Sequence, residues 1–429
     1  MNKIKRITIC LLLGFVIPYT LPAQAEWSGV VPGEDLVVKV ALFGPGTELY
    51  FWWGHIALII ENTRTRQARS FDFGLFSLEN AEFFVNFAFG RLWYSSGMIP
   101  AAISIGGYVN NNRSVTLFTL DLPPERREAV LAFAEYSVRP ENRYYLYHHF
   151  DDNCSTRIRD ILDIATYGQF SEAFLYKPGR FTFRQHIRRH TWHSPFFDWI
   201  LNFWMGQGID APITVWQEMF LPSEVAKRIT EFTFTDSYGN IRQLVSDIEY
   251  YFEAEGRPPV LDIPRQRWPH ALALSLAAAL FLGFLFFVQS KSPAAGQVAL
   301  GICHSLFGLV FGITGLMLFF MSTFTAHDYT FNNINLFFCN PLLLAAIPLG
   351  IKYASASCYN KRLFIELSLR LLWLLTFLGI IVSMLVKLSP HFWQQNLTDQ
   401  LLLLPIALIL AFEPKGLRRL IERIFWRWI

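Results

Sequence analysis

The sequence predicts a mixed α and β soluble domain followed by an all-α bundle of five transmembrane helices. Three observations predict it. The hydrophobic content is 52% over 429 residues, above the ~45–50% of ordinary globular chains. Short apolar runs of strand and helix period occupy the first half, and long apolar runs with few charges occupy the second. The formal net charge of +3 is too small to favour nucleic acid as a partner, and no basic stripe is visible.

The chain opens with MNKIKRITICLLLGFVIPYTLPAQA: cations at Lys3, Lys5 and Arg6, an apolar stretch from Ile7, and a small-x-small site at Ala23 and Ala25. That is the pattern of a secretory signal peptide over residues 1–25, with Glu26 starting the mature chain. An uncleaved anchor is the competing reading, and Pro18 and Pro22 argue against it by shortening the apolar run. On either reading, the domain over 26–265 lies outside the cytoplasm.

Within it, DLVVKVALFG reads as a strand, and LYFWWGHIALIIEN with ARSFDFG as two strands around a polar turn at Asn62 to Arg66. SVTLFTLDL is another strand, and PERREAVLAFAEYSV has helical spacing with an acid near its start. In HHFDDNCSTRIRDILDIA, Ile158, Ile161, Leu162 and Ala165 fall on one helical face, and Asp152 or Asn153 is placed to cap it. Cys154 would open that helix. The stretch to Pro269 is rich in aromatics and proline, and RPPVLDIPRQRWP reads as the linker to the membrane.

Over 266–429, five spans are expected at 271–288, 297–321, 333–351, 363–388 and 400–412, ending in a basic tail. With the soluble domain outside, the inner loops hold Lys291, Lys352, Lys361 and Arg362, and the tail holds Lys415, Arg418, Arg419, Arg423 and Arg427. The outer loops hold almost no cations, so the charge bias agrees with the orientation set by the signal.

Cys154 is the lone cysteine of the soluble part, because Cys10 lies in the signal and Cys303, Cys339 and Cys358 lie in or beside apolar segments. A free thiol in an oxidising compartment asks for a role. At the first turn of a helix it feels the positive end of the backbone dipole, which favours the nucleophilic thiolate. Arg157 and Arg159 would add to that, and Asp151 and Asp152 would oppose it. A nucleophile needs a base, and the base needs a group that orients it. His55, after Gly54, and Asp72, on the facing strand, are the candidates; a structural histidine, a turn carboxylate and a buried apolar thiol are the bland alternatives. His148 and His149 are rival bases, more simply read as a solvated loop pair. His186, His190 and His193 have the spacing of a zinc face, yet no acidic or cysteine ligand accompanies them in sequence, so no metal and no cofactor is expected.

The segments WWGHIALIIEN, SFDFG, NRYYLYHHFDDNCSTRIRD, TFRQHIR and MFLPSEV resemble the periplasmic domain of the Lnb family of bacterial lipoprotein N-acyltransferases, and FTAHDYTFNNINLFFCNPL resembles that family's motif between the second and third spans. The order of histidine, polar strand residue and Asn-Cys at a helix start also resembles permuted papain-like enzymes, the group of NlpC and lecithin:retinol acyltransferase. The resemblance implies a papain-like fold with Cys154 as nucleophile, His55 as base and Asp72 as third member. Asn153 would take a structural or oxyanion-supporting place and Arg157 a supporting one. It further implies an inner-membrane enzyme that moves an acyl chain from a phospholipid to diacylated lipoproteins through a thioester. His327, Asn333 and Asn335 would face lipid head groups or the thioester site from an outer loop, while Glu366 and Arg370 form an ion pair. A membrane-anchored cysteine peptidase or amidase, a phospholipase and a non-catalytic scaffold are the rival readings.

Overall fold

A computed structural model describes residues 31–77, 81–389 and 391–425; the expected signal peptide, 1–25, lies outside them. Strands rich in Val, Ile and Phe build an antiparallel seven-stranded sheet: β1 (Leu36–Phe43), β2 (His55–Asn62), β3 (Gln67–Leu75), β4 (Trp93–Pro100), β5 (Val115–Leu120), β6 (Tyr144–Leu146) and β9 (Val245–Phe252), in the order β6-β4-β3-β2-β1-β5-β9. A small hairpin, β7 (Thr233–Thr235) and β8 (Ile241–Gln243), stands apart.

Alternation along the strands makes two apolar faces. One carries α2 (Ala101–Asn110), which packs on Ala41, Phe43, Ala57 and Ile59; α1 (Ala81–Ala88) precedes it between β3 and β4. The other buries Val38, Val40, Leu58, Ile60, Phe71 and Phe73 beneath α3 (Pro124–Val138) and α4 (Cys154–Ala165). The aromatic-rich stretch that the sequence left unassigned folds into α5 (Gln169–Phe174), α6 (Phe183–Thr191), α7 (Pro195–Trp204), α8 (Val215–Glu218) and α9 (Pro222–Glu231), with α9 on the same face as α4.

After β9 the chain enters the helical region: α10 (Trp268–Lys291), α11 (Pro293–Phe324), α12 (Ala346–Ser355), α13 (Tyr359–Leu385) and α14 (Leu397–Phe425). Among the described residues, four helices are long and apolar enough to cross a membrane, namely α10, α11, α13 with the turn that follows it, and α14 as far as Pro414. The third expected span, 333–351, is different: Pro341–Ser355 is a shorter apolar helix. Asparagines account for this. The Asn333 side chain accepts from the Asn335 N–H and that of Asn340 from the Leu342 N–H, so the backbone is held in short turns instead of a long helix. Glycines of α11 then admit α12 at close range, since a Cβ on Gly308 would lie 2.7 Å from that of Ala346. The side chains of the basic tail from Arg418 onward lie outside the described residues.

The soluble domain is fastened to the outer ends of the helices by buried polar bonds. Asn333 donates to the Phe203 and Trp204 carbonyls at 2.9 and 3.1 Å, Asn335 to the Phe203 carbonyl at 2.9 Å, and the Trp199 indole to Asp399 at 3.1 Å. Ala326 N–H donates to the Phe89 carbonyl at 2.9 Å.

Candidate functional site

β2 and β3 form a hairpin in which Leu58 pairs with Phe71, so His55 and Asp72 lie diagonally on one face, within side-chain reach. His55 Nε2 meets Asp72 Oδ1 at 2.9 Å, and the Ser70 hydroxyl donates to Asp72 Oδ2 at 2.9 Å. The Tyr108 ring of α2 stacks on His55 with centroids 5.9 Å apart. Gly54, which introduces His55, has φ +79°, and a Cβ there would lie 2.8 Å from the Phe43 carbonyl oxygen.

Cys154 comes to the same place from the opposite face of the sheet, because α4 buries Ile158, Ile161 and Leu162 in the other core. The cap of α4 is Asn153: its side-chain oxygen accepts from the Ser155 and Thr156 N–H groups at 2.8 and 3.0 Å, and Thr156 closes a capping box. Its amide donates to the His149 and Phe220 carbonyls at 2.8 and 3.0 Å. All four of these bonds brace the start of α4, and the cap leaves the Cys154 N–H as the first-turn donor it does not use.

Burial disfavours charge on both His55 and Cys154, and their mutual attraction outweighs it. The His55 ring is pushed up to about 9 by the Cys154 thiolate and by its hydrogen bonds to Asp72 and Cys154. The Cys154 thiol is held below its ordinary value by His55, the Ser155 hydroxyl and the Ile56 N–H. Since Nε2 bonds Asp72, Nδ1 is the ring nitrogen left for the thiol. The electrostatics favour a half-buried thiolate–imidazolium pair with a carboxylate behind the imidazole, an arrangement able to attack an electrophilic carbonyl and return a proton to a leaving group.

Arg157 does not face the thiol. Its guanidinium forks onto Asp152 at 2.5 and 2.7 Å and lies 4.2 Å from the Tyr145 ring centroid. Of the rival bases, His148 bonds Asp328 at 2.9 Å, and His149 packs edge-on to Tyr147 and Tyr329. Burial drops His149 to about 4. His186 bonds Glu218 at 3.1 Å and accepts from Arg189, while His193 packs on Trp52, so these histidines point apart. No group of three or more His, Cys, Asp or Glu among the described residues could hold a metal ion. His327 bonds the Phe87 carbonyl at 2.9 Å, and with Asn333 and Asn335 it is buried at the seam between the two regions. Glu366 and Arg370 form an ion pair that also takes in Glu413.

Sequence reasoning missed Ser70, Tyr108, Tyr145 and Tyr147. The charge on Cys154 reaches both of the last two, although burial is the larger reason their hydroxyls hold their protons. The alternation in NRYYLYHH just before Cys154 was the available signal.

Fold and site together define a multi-pass membrane protein whose α/β sheet domain carries a half-buried cysteine–histidine–aspartate cluster. Residues 23–189 match the family described as the Lnb N-terminal periplasmic domain, a match that supports membership of the Lnb family. No curated protein and no solved structure matches it.

Proposed function

We propose that the protein is an inner-membrane lipoprotein N-acyltransferase working by a thioester. One observation carries the reading: Cys154 opens a capped helix beside a histidine bonded to Asp72, in a domain fastened to apolar helices. The chain order of His55, Asp72 and then a helix-opening cysteine supports a permuted papain-like relation.

In the first half-reaction the Cys154 thiolate attacks the ester carbonyl of a phospholipid. In this scheme the Cys154 N–H at the start of α4 stabilises the oxyanion. The C–O bond breaks, the leaving alkoxide takes the proton of His55, and a lysophospholipid departs. In the second, the neutral α-amine of a diacylglyceryl-cysteine attacks the thioester carbonyl, His55 takes the amine's proton, the C–S bond breaks and an amide remains with the thiolate regenerated. Both substrates are lipids, which is the physical reason for joining the cluster to membrane helices.

The test is the intact mass of a reporter lipoprotein's N-terminal lipopeptide, from cells lacking other N-acyltransferases and expressing the protein or Cys154→Ser. One added acyl chain with the wild type alone is expected. Unchanged mass in both, with folded protein present, would overturn the reading in favour of hydrolysis.

A further inference from the structure

Helix α1 carries the sequence AEFFVNFA. At 100° per residue, Phe83 and Phe87 share one side, Phe84, Ala88 and Val85 continue the apolar arc, and Glu82 with Asn86 close it. The first side is only partly packed: half-buried Phe83 lies 5.5 Å from Phe76, and Phe87 lies 6.1 Å from His327 with 44% of its surface still exposed. The second is bare, with Phe84 56% and Val85 58% exposed.

The height of this bare face is fixed by its attachments. The residue after the helix, Phe89, packs on Phe320 of α11 at 5.8 Å and accepts from the Ala326 N–H. Gly90 has φ +73°, and a Cβ there would sit 2.7 Å from the Ala326 carbonyl carbon, so backbone meets backbone. Phe320 belongs to the outermost turns of a span that ends at Phe324. Through exposed Phe89, the end of α1 thus joins exposed Phe320 and Phe324 at the outer boundary of the apolar helices.

From the packed side, aromatic rings lead inward. Phe76 contacts Tyr94 at 5.0 Å and Tyr94 contacts Tyr147 at 4.5 Å. Phe76, Phe83 and Tyr147 are half-buried, so their rings line a surface. Tyr147 lies against Gly74, two residues after Asp72, and feels the charge on Cys154.

We propose that α1 lies in the outer leaflet, with Phe84 and Val85 among lipid chains, and that Phe83, Phe76, Tyr94 and Tyr147 form the wall along which a phospholipid acyl chain reaches Cys154. The first half is a statement about a membrane-embedded surface; the second deepens the acyl-transfer reading and rests on it. An interfacial helix of this kind solves a physical problem, since a soluble site otherwise has to draw an apolar chain through water.

The test is photo-crosslinking, which does not depend on turnover. The full-length protein is reconstituted in vesicles of phosphatidylethanolamine and phosphatidylglycerol with alkyne-tagged acyl chains, with p-benzoylphenylalanine placed at Phe84, Val85 or Phe76. Tyr238, 82% exposed in the β7–β8 hairpin near the opposite edge of the sheet, is the reference position. Lipid adducts at least tenfold above the reference are expected at all three. Adducts no stronger at Phe84 and Val85 than at Tyr238 would overturn the leaflet placement. Adducts at those two but not at Phe76 would overturn the acyl-chain wall. A failed lipopeptide assay with all three adducts present would sink the transferase reading and leave the lipid contacts standing.

Discussion

The proton on His55 and the charge on Cys154 support each other, and the sign of each shift sets a pH dependence. Between the depressed value of the thiol and about 9 at the imidazole, the pair is charged; below this window the thiolate is protonated, and above it His55 loses the proton needed by the leaving group. Alkylation of Cys154 by iodoacetamide should therefore have its midpoint below 9.0, the ordinary value for a thiol. In His55→Ala the midpoint should move up, because burial then acts without the imidazolium. An unmoved midpoint would remove the ion pair. Asp72→Asn takes a carboxylate from the imidazole, so the alkaline fall of acyl transfer should begin at lower pH and the rate drop by roughly 10²–10⁴-fold, as for a misdirected general base. Cys154, His55 and Asp72 were legible because their residue types and order carry the chemistry. Ser70 and Tyr108 were not, since a hydroxyl two residues upstream and a tyrosine on a distant helix signal nothing until the sheet brings them together.

At the scale of elements, one hairpin and one helix start do the positioning. Gly54 is required by its φ of +79° and by the Phe43 carbonyl 2.8 Å from where a Cβ would be. Gly54→Ala should cost about 1–3 kcal/mol, measured by thermal unfolding in detergent, with a matching loss of His55 placement. Asn153→Ala removes the α4 cap at a cost of about 0.5–2 kcal/mol. It should also slow iodoacetamide labelling, since the turn presenting the thiol frays; full stability with unchanged labelling would show that the cap does not position Cys154. Strands β1, β2, β3 and β5 and helices α3 and α4 were readable because each has a clean period bounded by turn residues. The third span was misread because the run at 333–351 has the composition of a long helix, while its asparagines bind their own backbone. Helix α1 was invisible for the opposite reason: its phenylalanines face both protein and open surface, so no single apolar stripe marks it.

At the scale of the whole molecule, the two regions meet through polar groups whose loop, taken alone, reads as ordinary. Cation placement predicted which loops lie inside, and the structure seats the sheet domain on the opposite loops, those holding Ala326, Asn333 and Asn335. What sequence could not supply is the partner of each asparagine, because Phe203 and Asn396 are both far along the chain from Asn335. The Asn335 amide reaches the Phe203 carbonyl, and its oxygen accepts from Asn396 at 2.7 Å, all of it buried. Asn335→Ala leaves the Asn396 amide without that acceptor, a cost of about 1–3 kcal/mol for a buried polar group. Because the bond joins two regions, the cost should appear as local opening at the seam. Hydrogen exchange should rise in segments 199–206 and 326–336 and stay unchanged in β1 and β2, whose ladder does not involve the seam. If the position of the sheet domain over the membrane sets how substrate reaches Cys154, acyl transfer falls in this variant while iodoacetamide labelling of the thiol is preserved. Loss of both would instead place the fault inside the sheet domain.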